Sequence, residues 1–146
     1  MPEITTSREI DADQATAWAL VSHPQRFADW NTLHLRWDEE PPAELTIGAH
    51  VVDVVKIKGI VDTIAFTVDE IRHPEFLSLS GSGSTGSTVV LDVTVTEQSP
   101  VRCVVTLHIV FTSSVLFGPL GKVIEKAFRK QLDASLDKLA AALVGA

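Results

Sequence analysis

Two aspartates carry the strongest hint of chemistry in this 146-residue chain. After Gly48, Lys56 and Lys58 belong on a water-facing side, which puts Asp53 in phase with Val51, Val55 and Ile57 on the opposite one. In the next stretch Ile64, Phe66 and Val68 form the inward set, and Asp62 shares their phase. A carboxyl on an apolar wall is poorly hydrated, so its pKa rises and it can serve as a general acid or base near neutral pH. The same spacing also fits a strand bulge or a rim position where each carboxylate is solvated.

The remaining reactive residue types lack the context their chemistry needs. Gly81-Ser82-Gly83-Ser84-Thr85-Gly86 spells the G-x-G-x-x-G of a dinucleotide site, but it leads into Thr88-Val89-Val90-Leu91, a strand pattern and not a helix. A hairpin connection is expected there. The histidines His23, His34, His50, His73 and His108 show no metal-ligand spacing, so no metal is expected. His34 with Arg36 suits either the outer face of a strand or an anionic ligand group at a pocket mouth. Cys103 lies among Val101, Val104, Val105 and Leu107, the setting of a buried inert thiol. No G-x-S-x-G nucleophile elbow occurs.

The element that must position these groups is the C-terminal run from Gly118 to Leu143. Its apolar residues, among them Val123, Ala127, Phe128, Leu132, Leu136 and Leu139, fall at helical three-and-four spacing. Lys122, Lys126, Arg129, Asp133 and Asp137 occupy the other face. Pro119 suits a first helical turn and Gly145 a stop. Such a helix is about 40 Å long and needs a broad apolar partner.

That partner is legible upstream. Thr5 to Ile10 reads as a strand, and Asp11 with Gln14 three residues on reads as the cap of a short helix carrying Trp18. His23-Pro24 ends that helix, and Gln25 to Trp30 makes a further turn or two that brings Phe27 and Trp30 inward. Leu33 to Trp37 alternates as a strand, with Leu33, Leu35 and Trp37 set against His34 and Arg36. Period-two strands are expected at Ala49 to Lys58, Ile60 to Ile71, Phe76 to Ser80, Thr88 to Thr96 and Val101 to Thr112. Their short connections make an antiparallel meander.

Composition sets the class. Apolar residues are 45% and charged residues 21% of the chain, the balance of a globular domain, and the length suits a single domain spanning 1–146. The net charge of −7 argues against nucleic acid as a partner. No run is long enough to insert into a membrane, and Met1-Pro2-Glu3-Ile4 has no export signal, so a cytoplasmic location is expected.

The order of strand, two short helices, six strands and a long last helix resembles the helix-grip fold of the START/Bet v 1-like superfamily, the SRPBCC or polyketide cyclase/dehydrase group. The resemblance rests on Ile10-Asp11-Ala12 leading to Trp18, Phe27-Ala28-Asp29-Trp30, Pro41-Pro42 with Leu45 and Gly48, the Gly59 turn, Pro74 with Leu77 and Leu79, and Gly118-Pro119-Leu120-Gly121. An actinobacterial subgroup described as toxins of toxin–antitoxin pairs is the nearest likeness.

The resemblance implies an α+β fold in which a curved antiparallel sheet wraps the C-terminal helix, with a cavity between them for a small hydrophobic, lipid- or polyketide-like molecule. No cofactor is implied. Trp30 and Trp37 would line this cavity near a lid-like segment, with Asp53 and Asp62 as its polar groups. Val55, Phe66, Leu79, Leu91 and Phe111 would line it from the strands, and Val123, Ala127 and Phe128 from the helix. The leading expectation is a non-catalytic binder. The alternatives are a polyketide cyclase or aromatase-like enzyme using Asp53 or Asp62, and a toxin-like protein acting through a protein partner, with a homodimer also open.

Overall fold

The computed structural model describes residues 3–57, 59–84, 86–112 and 121–144. The elements run β1 (Glu3–Ile10), α1 (Gln14–Val21), a 3-10 helix (Pro24–Asp29), β2 (His34–Trp37), β3 (His50–Ile57), β4 (Ile60–Arg72), β5 (Phe76–Gly83), β6 (Thr88–Ser99), β7 (Arg102–Thr112) and α2 (Gly121–Val144). The strands form one antiparallel sheet in the order β1-β7-β6-β5-β4-β3-β2. β3 to β7 are the expected meander, and the N-terminal strand returns to pair along β7 from Glu3 opposite Val110 to Ile10 opposite Cys103. The sheet curls around α2, the α+β helix-grip arrangement.

Period-two alternation decides what each strand buries. In β7 Cys103, Val105, Leu107 and Ile109 are buried, and in β6 Val89, Val93 and Val95 face them across the register. β5 contributes Leu77 and Leu79, followed in the same phase by Gly81. A Cβ on Gly81 would lie 2.7 Å from the Ala65 carbonyl oxygen and 2.9 Å from Phe66 Cδ1. The missing side chain therefore lets the Phe66 ring fold down onto β5. Strand β5 continues three residues past the expected end at Ser80, so the glycine-serine stretch is largely strand, and the connection to β6 is short.

α2 buries Ile124, Ala127, Phe128, Leu132, Leu136 and Leu139, one stripe of a 3.6-residue period. Its polar flanks are not merely solvated. Asp133 accepts a hydrogen bond from Thr6 Oγ1 at 2.5 Å, Asp137 pairs with Arg8, and Lys138 Nζ donates to the Ala28 carbonyl at 3.0 Å. The helix is thus latched to β1 on one side and to the 3-10 helix on the other. The Gly118-Pro119-Leu120 start, the Gly145 stop and Lys58 lie outside the described residues.

Two local expectations change. The cap of α1 is Asp13, not Asp11: Asp13 accepts from Thr16 N at 3.1 Å and from Thr16 Oγ1 at 2.6 Å, while Asp11 pairs with Arg102 at 2.7 Å. The β2 alternation is interrupted by a register shift between His34 and Arg36. Leu35 is consequently 47% exposed, whereas the His34 side chain is only 4% exposed. Cys103 is fully buried, and burial pushes its thiol pKa up, as expected for an inert cysteine. No described helix is long and apolar enough to cross a membrane.

Candidate ligand-binding cavity

A cavity opens between the concave face of the sheet and the first half of α2. It offers about 90 Å³ to the centre of a water-sized sphere, several times the roughly 15 Å³ that one water requires. Strands β3 to β7 supply most of the wall, α2 supplies Phe128, Leu132 and Ser135, and the 3-10 segment closes one side with Phe27, Trp30, Asn31 and Leu33. Four polar side chains, Asn31, Asp53, Asp62 and Ser135, interrupt an otherwise apolar lining that includes no lysine or arginine among the described residues.

Most of the residues singled out from the sequence meet on this wall. Trp30 and Trp37 lie on it beside Asp53 and Val55 of β3 and Asp62 and Phe66 of β4. Leu79, Leu91, Phe111 and Phe128 complete the set, the last two with ring centroids 4.7 Å apart. Val123 does not join them and is 47% exposed, because the inward seam of α2 runs through Ile124, Phe128, Leu132 and Ser135, and Val123 sits one residue round from it. Ala127 is buried in the core next to this seam without facing the cavity.

The two carboxylates differ sharply in setting. Asp53 is 3% exposed, and its Oδ1 lies 2.5 Å from His34 Nδ1, itself brought inward by the β2 bulge. Burial raises the Asp53 pKa, and the hydrogen bond and charge of His34 pull it back only in part. The imidazole sits against an aromatic cluster, tilted on Trp37 at 4.8 Å and edge-on to Phe27 at 6.2 Å between centroids. This buried acid–base pair was missed in sequence because strict alternation turns His34 outward.

Asp62 is a structural clamp. Its Oδ1 accepts from the backbone N–H of Thr63 at 2.8 Å, from Ser84 N at 3.0 Å and from Ser84 Oγ at 2.7 Å, and its Oδ2 accepts from Ser87 Oγ at 2.8 Å. These bonds fasten the β5–β6 turn to β4. Gly83 belongs to the same device, since a Cβ there would lie 2.2 Å from both Asp62 Oδ2 and Ser87 Oγ. The G-x-G-x-x-G letters therefore serve a carboxylate-clamped hairpin.

The two pocket tryptophans differ as well. Trp37 Nε1 donates to the Pro24 carbonyl at 2.9 Å. Trp30 is 1% exposed, packs edge-on against Phe27 at 5.6 Å, and its buried Nε1 has no hydrogen-bond partner. Ser135, placed in the helix seam where a leucine would otherwise sit, accepts from Thr32 N at 3.0 Å and lies 3.0 Å from Thr32 Oγ1. The described residues hold no cluster of His, Cys, Asp or Glu fit for a metal ion.

Comparison with known proteins agrees with this architecture. The chain is 27% identical over 145 residues to a Mycobacterium tuberculosis protein named toxin Rv0910, covering 99% of this chain and 100% of that one. Among solved structures, a START superfamily protein from Mycobacterium smegmatis superposes with a TM-score of 0.76 at 14% identity, covering 97% of this chain and 96% of that one. TTHA0849 from Thermus thermophilus gives 0.80 at 12% identity, covering 99% and 98%. The model of the family described as polyketide cyclase / dehydrase and lipid transport matches residues 1–144, and the chain belongs to that family.

Proposed function

We propose that this chain binds a small hydrophobic molecule between its sheet and α2. The observation that carries the reading is the wall itself: apolar side chains from six strands, the helix and the 3-10 segment enclose a space that they do not fill. Removing apolar ligand surface from water supplies about 25 cal/mol per Å², so such a site needs no reactive group to gain affinity. The test is native against denaturing mass spectrometry of protein incubated with a solvent extract of its own source cells. A discrete added mass released on denaturation is expected, and it disappears when Leu132→Trp fills the cavity. A bare mass after incubation refutes the reading.

A second reading, an enzyme of the cyclase type, draws support from the buried His34–Asp53 pair. In it the Asp53 carboxylate, oriented by His34, takes a proton from a carbon beside a ligand carbonyl. The resulting enolate attacks a second carbonyl of the same chain, and the proton passes to the new alkoxide. Unchanged turnover of a poly-β-ketone by Asp53→Asn removes this reading. The toxin-named relatives support a third, growth inhibition through a protein partner. An unaltered growth rate on induced expression in an actinobacterial host removes that one.

A further inference from the structure

The orphaned indole N–H of Trp30 is the one buried side-chain polar atom among the described residues left without a hydrogen-bond partner. Leaving a donor buried and unpaired costs about 1–3 kcal/mol, and native proteins rarely tolerate it unless something absent from the chain itself completes the bond. The neighbouring Trp37, on the same wall and joined to Trp30 through Phe27, satisfies its own N–H on the Pro24 carbonyl, whereas Trp30 does not.

The charges around the cavity restrict what can complete the bond. Among the described residues the polar wall side chains are two carboxyl groups, Asp53 and Asp62, one amide and one hydroxyl, with no lysine or arginine. An anionic ligand group would lose its hydration without meeting a fixed positive charge and would face two carboxyls. A neutral oxygen acceptor meets neither cost.

We propose that Trp30 Nε1–H is the recognition donor of the cavity and that the ligand is an uncharged apolar molecule bearing a carbonyl or similar oxygen acceptor, in preference to the carboxylate of the same skeleton. This rests on the reading of the cavity as a binding site and adds the chemical class of its occupant. Asn31 and Ser135 are secondary polar contacts on the same wall. The indole ring supplies apolar surface while its N–H fixes one end of the ligand, the division of labour for which tryptophan is suited.

The test uses three probes of one shape, acetophenone, ethylbenzene and benzoate, titrated into uniformly 15N-labelled protein. The chain has three tryptophans, hence three indole N–H resonances, and Trp30→Phe assigns the one that matters. Acetophenone is expected to move the Trp30 indole proton downfield and to bind about fivefold to tenfold tighter than ethylbenzene, the value of one net hydrogen bond. Benzoate is expected to bind more weakly than either. Trp30→Phe is expected to abolish the preference for the ketone over the hydrocarbon, read as the ratio of the two affinities in the variant, where both probes meet the same altered wall. Equal binding of ketone and hydrocarbon, or tightest binding by benzoate, overturns the inference and leaves the cavity reading standing. Binding of none of the three overturns both. Where Trp30→Phe unfolds, the Trp30 indole resonance of the unmutated protein is assigned from its nuclear Overhauser contacts with Phe27, and its shift with acetophenone decides the matter.

Discussion

Substituting His34 by leucine isolates the Asp53 carboxyl on an apolar wall, and the cost of doing so must depend on pH. The structure places the two side chains 2.5 Å apart, each 4% exposed, so neither can turn to water when the other is removed. A carboxyl whose pKa in the folded protein lies above its unfolded value of 3.8 lets the folded state hold a proton that the unfolded chain releases. Stability is therefore full below that value and falls as pH rises, by up to about 1.4 kcal/mol per pH unit, until the folded pKa is passed. In the unmutated protein His34 opposes the effect of burial, and His34→Leu removes that opposition. Urea unfolding of His34→Leu is expected to show little loss at pH 4 and a loss of about 3 kcal/mol or more at pH 7, the range seen when one partner of a buried pair is deleted. Roughly three pH units of the limiting slope bound the titration part at about 4 kcal/mol. The double variant His34→Leu/Asp53→Leu should recover most of this at pH 7, because no stranded charge remains. A His34→Leu penalty that is equal at pH 4 and pH 7, or a double variant as unstable as the single one, would refute the account of Asp53 as a desolvated carboxyl restrained by His34.

Four further outcomes follow from other contacts. Gly83→Ala should cost about 2–3 kcal/mol in urea unfolding by forcing the Ser87–Asp62 bond apart, and in an Asp62→Ala background the cost should shrink. Ser135→Ala leaves the Thr32 N–H without its acceptor and should cost about 1–2 kcal/mol by the same assay. Leu139→Ala, at a fully buried position away from the cavity, should cost about 3 kcal/mol or more, against about 1–2 for Leu91→Ala, whose side chain already faces open space. His108 has a raised pKa, first through its hydrogen bond to Glu3 and then through Asp92, so its stabilising effect is complete below its unfolded value of 6.5 and is lost as pH rises through the folded one. His108→Gln should flatten that loss, worth under about 1 kcal/mol at this partly exposed site, and an unchanged pH profile between pH 6 and 9 counts against it.

The fold was largely legible because periodicity reports which face a residue occupies. The β6 and β7 alternation, the α2 stripe and the inward phase of Asp53 all follow from periods of two and 3.6, and the structure places them accordingly. What periodicity cannot register is a slip in its own count. The shift between His34 and Arg36 inserts one residue into β2, which reverses Leu35 and His34 and creates the buried pair. Val123 failed for a related reason: an apolar residue at the margin of a helical stripe has the right type but the wrong angle. The role of Asp62 was hidden because its partners Ser84 and Ser87 are more than twenty residues away and join it only through the β4–β5 pairing.

Residue type also says nothing about where the interior is filled and where it is empty. Across the sheet, register aligns Leu107, Val93 and Leu77 at one level, then Ile109, Leu91 and Leu79, then Phe111, Val89 and Gly81. Large apolar residues occur at every level, yet the end built on Leu77, Cys103, Val105 and Leu139 is fully buried and outside the cavity wall, while the levels of Leu79 and Val89 border open space. The difference arises from what lies opposite. At the closed end α1 and the second half of α2 bring Trp18, Leu136 and Leu139 onto the sheet, and the polar latches from Arg8 and Lys138 hold the helix there. At the other end the facing side chains are Phe128 and Leu132, with the small Ser135 between the two regimes and Trp30 on the same wall. Under the proposed reading, stability and binding occupy successive levels of the same strands. The helix can leave one end unfilled because packing and latches at the other already fix its position, and a hydrophobic ligand would gain from the open levels the burial that the chain does not supply there.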